Sequence, residues 1–103
     1  MKPTRLYIEP EAEIELEEEA DRYESNVAGL GLDFLVEMRK RTRDVFGYPE
    51  RFPPFSSIAG VHCAHAVGRF PHLVVYMISD DTVHVLAYMH PRQRPGYWVH
   101  RVP

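Results

Sequence analysis

Midway along this chain the hydrophobic rhythm changes, and that change constrains the fold more than any other feature. Up to residue 47 apolar side chains recur every three or four positions; beyond residue 60 they recur every two or run without interruption. A helix buries one stripe with a period near 3.6 and a strand buries one face with a period of two, so the first part must be helical and the second extended. The boundary, residues 49–54, holds three prolines in six residues and cannot be helix.

Residues 5–8 read as a short strand, closed by Glu9 and by Pro10, a residue suited to the first turn of a helix. Ala12, Leu16, Ala20, Tyr23 and Val27 then keep helical spacing, with glutamates on the opposite, solvated face. Gly29-Leu30-Gly31 ends that helix. A second helix buries Leu35, Met38, Thr42 and Val45, with Leu32 and Phe46 beside them, and stops near Gly47-Tyr48-Pro49. So short a turn folds the two helices into an antiparallel hairpin, with Arg39, Lys40, Arg41 and Arg43 on its outer side.

Three extended segments follow: 61–69 alternates loosely, 73–79 is apolar almost throughout, and 82–89 alternates again. Asp80-Asp81 forms a tight turn between the last two, and short connections make the three an antiparallel meander. Residues 73–78 are apolar at every position and are expected to form the central strand, covered on both faces. The expected fold is α+β with the order β-α-α-β-β-β, a helical hairpin packed on a mainly antiparallel curved sheet. At 103 residues the chain suffices for one domain, residues 1–103, around one core.

Cys63 is the only cysteine, which fits a reducing, cytoplasmic setting, and no apolar run approaches the length that crosses a bilayer. Charge is unevenly placed. Residues 9–24 carry nine acidic side chains against Arg22, whereas all six histidines lie beyond residue 60. The net charge of −3 argues against a dedicated nucleic-acid binder. His62, Cys63, His65 and His84 do not form a compact ligand set, so neither metal nor cofactor is expected. Glycine-rich phosphate loops and nucleophile-elbow motifs are missing as well.

Residues 90–98 concentrate recognition chemistry where a chain would otherwise fray. Arg92 and Arg94 can grip phosphate or carboxylate; Tyr97 and Trp98 can stack on a base, fill a partner's pocket or fold back over the core, and Trp98 is the expected anchor of the segment. Metal-free RNA cleavage needs a base, an acid and fixed cations, and His90, Tyr97, Arg92, Arg94 and Arg69 together contain those groups.

Taken in order, the motifs resemble the RelE/ParE superfamily, the toxins of type II toxin-antitoxin systems once called plasmid stabilisation proteins. They are the alanine- and glutamate-rich first helix with Tyr23, Gly29-Leu30-Gly31 before Phe34-Leu35, Pro49 and Phe52-Pro53. Arg69-Phe70-Pro71, Tyr76, Val85-Leu86-Ala87, His90, Arg92, Pro95, Tyr97 and Trp98 follow. The resemblance implies the β-α-α-β-β-β fold, growth inhibition, and a cognate antitoxin encoded next door that binds the toxin as a hetero-oligomer.

Two activities occur among the superfamily's members: RelE-like toxins cleave mRNA on the ribosome, and ParE-like toxins block DNA gyrase. The nuclease branch carries a phosphate-gripping arginine three places before the central tyrosine, which by resemblance is Tyr76; the matching residue here is Leu73. A leucine cannot hold phosphate, and Arg69 and His72, which could substitute, lie at the hairpin rather than at the matching position. The expectation is therefore a ParE-like toxin acting by protein-protein contact on DNA gyrase, through Arg69, His90, Arg92, Arg94, Tyr97 and Trp98. The alternatives are a ribosome-dependent endoribonuclease using Arg69, His90, Arg92, Arg94 and Tyr97, or an inactive antitoxin-binding module.

Overall fold

A computed structural model describes residues 2–55 and 58–103. It contains strand β1 (Arg5–Ile8), helices α1 (Pro10–Asn26) and α2 (Leu30–Gly47), then strands β2 (Val61–His65), β3 (Leu73–Ser79) and β4 (Thr82–Met89). The order β-α-α-β-β-β is the one anticipated. The sheet runs β1-β4-β3-β2 and is open; β2, β3 and β4 pair antiparallel, and β1 joins β4 in parallel. Among the described residues, no helix is long and apolar enough to cross a membrane.

Because side chains alternate across β3, its apolar run feeds two separate clusters. Val74 and Tyr76 face the helices, among Leu16, Phe34, Met38 and Val45. Leu73 and Val75 face the other way, among Val61, Leu86, Met89 and Trp98. A bulge at Val75/Tyr76 leaves Leu86 without a partner in the register, which puts Leu86 and Ala87 in the same cluster although they are adjacent in sequence. Both faces of β3 are thus covered, one by helices and the other by the chain's final residues.

The phase of α2 differs from the sequence reading. Gly29 adopts φ 87° and makes the interhelical turn, and Gly31 lies inside α2, where an added Cβ would stand 2.4 Å from the Ala20 carbonyl oxygen. That close approach turns Gly31, Phe34, Met38, Thr42 and Val45 inward. Phe34 therefore occupies the core position expected for Leu35, and Leu32 is 64% exposed. Val27, beyond the end of α1, is exposed too, and β2 stops at His65 rather than running to residue 69.

The acidic face of α1 departs most from expectation. Glu24 accepts the backbone N–H groups of Gly29 (2.9 Å) and Gly31 (3.0 Å), tying the turn and the first residues of α2 to α1. Glu13 pairs with Arg39 across the hairpin, and Arg39 holds its carboxyl below the usual range. Within the core, Thr42 donates to the Met38 carbonyl oxygen (2.8 Å) and its hydroxyl meets that of Tyr88 at 2.8 Å. Tyr76 donates to the Pro49 carbonyl oxygen, anchoring the proline-rich connector to β3.

Candidate functional site

Past β4 the chain turns sharply, and its backbone is fixed before any side chain matters. The His90 N–H donates to Gln93 Oε1 (2.8 Å), the Gln93 N–H to the His90 carbonyl oxygen (2.9 Å), and the Arg92 N–H to His90 Nδ1 (3.0 Å). That last bond occupies the Nδ1 lone pair, so a neutral His90 carries its proton on Nε2. Gly96 then takes φ 89°, and a single 3-10 turn at Val99–Arg101 closes the tail.

The tail is fastened chiefly by one carboxylate, with Glu11 adding a second contact to Arg101 at 3.5 Å. Glu15 accepts the Tyr97 hydroxyl (2.7 Å), both terminal nitrogens of Arg101 (3.1 and 3.2 Å) and the Tyr88 backbone N–H (3.2 Å). Arg101 also donates to the Leu86 carbonyl oxygen (3.0 Å) and lies over the Tyr97 ring. Its side chain is only 7% exposed, so this is a buried, multiply bonded ion pair. Burial, reinforced by Glu15, pushes the Tyr97 hydroxyl well above the usual tyrosine range. At the edge, His100 meets Glu11 at 3.1 Å and holds that carboxyl low.

Between α1 and the end of β4 lies an open pocket of about 400 Å³. Glu15, Glu18 and Glu19 form its helical wall, and His90, Arg92 and Gln93 its tail side. His72 also lines it and is 1% exposed, its ring packed edge-on against Phe34 and His90 at 4.8 and 5.0 Å between centroids. Its Nε2 stands 3.5 Å from Glu19 Oε1, and neither ring nitrogen has a hydrogen-bond partner among the described residues. Burial pushes the His72 imidazole down to about 4; His90 acts in the same direction and Glu19 opposes it.

The residues singled out from the sequence are only partly brought together. His90 and Arg92 share the pocket, while Arg94 stands exposed on the tail. Arg69, in the loop before β3, pairs with Asp33 of α2 at 2.5 Å and extends over the Phe70 ring. Tyr97 is half-buried against Glu15. Trp98 is fully buried and so leaves the contacting surface on which it was also expected; it packs 5.9 Å from the Phe55 ring and is the tail's anchor. Leu73 is 4% exposed, inside the cluster that Trp98 covers.

Glu15, Glu19 and Arg101 escaped the sequence reading, as did the burial of His72. The first two had a signal: they fall three residues after Ala12 and Leu16, on the border of the apolar stripe, where a carboxylate is half-desolvated. Nothing local marked His72 or Arg101, whose surroundings come from distant segments.

The sequence matches no protein-family model and no curated protein. Its fold, however, is shared with a solved chain described as belonging to the chromosomal ParDE TA system from P. aeruginosa. The TM-score is 0.74 at 14% identity, over 87% of this chain and 98% of that one.

Proposed function

We propose that this chain is a ParE-like toxin of a type II toxin-antitoxin pair, held in check by an antitoxin encoded beside it. It stops growth by docking on DNA gyrase. The toxin reading is supported by a fold shared with a chain of the ParDE system across almost all of that chain. The manner of action rests on one observation, the burial of Leu73 beneath Trp98.

Cleaving a phosphodiester without metal requires cations fixed around the phosphate. On the sheet face where such a cation would stand, this chain has an apolar cluster closed by an indole. Arg69 is engaged by Asp33 and Arg101 by Glu15, and the pocket beside His90 sets Glu15, Glu18 and Glu19 against Arg22 and Arg92, so it is not the cationic cradle a phosphate needs. The Tyr97 hydroxyl donates to Glu15 at 2.7 Å and is committed to holding the tail rather than to proton transfer. His90, Arg92 and Arg94 remain as groups at the surface suited to protein contact, with Arg69 and Tyr97 at their margins.

Purified protein should inhibit supercoiling by gyrase, and undisturbed supercoiling would remove this target. Primer extension on translated message addresses the nuclease alternative, which requires codon-linked cuts. Expression alone in a bacterium should arrest growth and co-expression of the adjacent small gene should restore it; normal growth in both cases would leave an inactive antitoxin-binding module. Co-purification of that gene's product is the expected sign of the pairing.

A further inference from the structure

His72 forms the floor of the pocket between α1 and the end of β4, and both of its ring nitrogens are buried without a partner among the described residues. Buried polar atoms are rarely left in that state, and the adjoining volume of about 400 Å³ has room for a group that would satisfy one of them. A neutral imidazole offers one N–H and one lone pair. The N–H is directed at Glu19, whose Oε1 is 3.5 Å from Nε2, so the lone pair is left over and the occupant must include a hydrogen-bond donor.

Charge selects among donors. Glu15 is already engaged by the tail, but Glu18 is exposed and makes no ion pair among the described residues. Glu19 is bound only at its rim, by an Arg22 whose side chain is 63% exposed. An incoming cation can displace Arg22 at small cost, because exposed pairs of this kind contribute little. Three carboxylates on a rigid helix disfavour an anion, and Arg92, the cation on the tail side, is exposed and can swing into solvent.

We propose that this pocket receives an arginine side chain from a protein partner, its guanidinium bonding Glu18, Glu19 and the lone pair of His72 together. The planar fork of five N–H donors suits several acceptors at once, which a lysine ammonium does not match.

N-acetyl-arginine amide, titrated into the intact protein with imidazole nitrogens followed by NMR, tests this directly. A saturable movement of the His72 and His90 signals is expected, with affinity at least tenfold weaker in a Glu18→Gln/Glu19→Gln variant. Glu18→Gln alone, at an exposed position, should weaken it about threefold with an unchanged amide spectrum. No saturable movement, equal affinity in the double variant, equal binding of N-acetyl-lysine amide, or the same movement with inorganic phosphate would each overturn the proposal. The measurement needs no growth phenotype, so its failure leaves the toxin reading standing, and failure of the toxin reading leaves the pocket.

Discussion

Glu15 is the residue on which the tail depends, and its partner Arg101 is more enclosed still. Removing one member of a buried ion pair leaves the other desolvated and unpaired, which costs about 3–5 kcal/mol, whereas replacing both by apolar groups costs far less. Glu15→Leu and Arg101→Met should each lower the urea midpoint sharply, and the double variant should recover much of the loss. Additive losses would mean that the two do not act as a pair. His72 makes a second prediction at this scale. Its folded form stays neutral down to about pH 4, while an unfolded histidine takes up a proton near 6.5. The unfolded state therefore binds more protons between those values, and stability that is complete above pH 6.5 is lost as pH falls toward 4. Roughly 2 kcal/mol should disappear between pH 7 and 5. His72→Leu should flatten that dependence in urea titrations at the two pH values; an unchanged slope would place the proton uptake elsewhere.

At the scale of elements, the helical hairpin is set by the contact between Gly31 and the Ala20 carbonyl oxygen. A Cβ at Gly31 meets backbone that cannot swing aside. Gly31→Ala should therefore push the helices apart and cost about 1–3 kcal/mol. Gly47→Ala is the matched control: it meets open space at the end of α2 and should be neutral or stabilising by up to about 1 kcal/mol. Thermal unfolding of the two variants distinguishes local packing from a general effect of alanine. This contact also explains what the sequence could and could not disclose about the hairpin. Both helices and their turn follow from period and glycine, because those signals are local. The choice of Phe34 over Leu35 for the core does not, since spacing permits either and a carbonyl on the other helix decides. The same holds for Glu13 and Glu24, whose partners lie on α2 or in the turn leading to it.

Across the whole molecule, one sheet carries two apolar clusters, and only one of them is covered by helices. The other is closed by a segment with no regular structure beyond a single 3-10 turn, held at Glu15 and plugged by Trp98. The continuous apolar run of β3 announced that both faces are buried, and the aromatic tail was a candidate lid. That Trp98 is the anchor, with Arg92 and Arg94 outside, could be read from the segment itself; the carboxylate that holds the tail could not, because Glu15 lies more than eighty positions away. Trp98→Ala tests how far the faces depend on each other. Truncating a fully buried indole should cost about 3–5 kcal/mol and bare Leu73, Val75 and Met89. Binding of an apolar dye should rise while far-UV dichroism keeps the helical signal in water. Leu73 and Val75 alternate along β3 with Val74 and Tyr76 of the helical side, so neither cluster can melt without the strand that carries the other. Urea should therefore unfold the variant in one transition at a lower midpoint. Two separate transitions would mean that the helical face stands by itself and the tail is a dispensable cover.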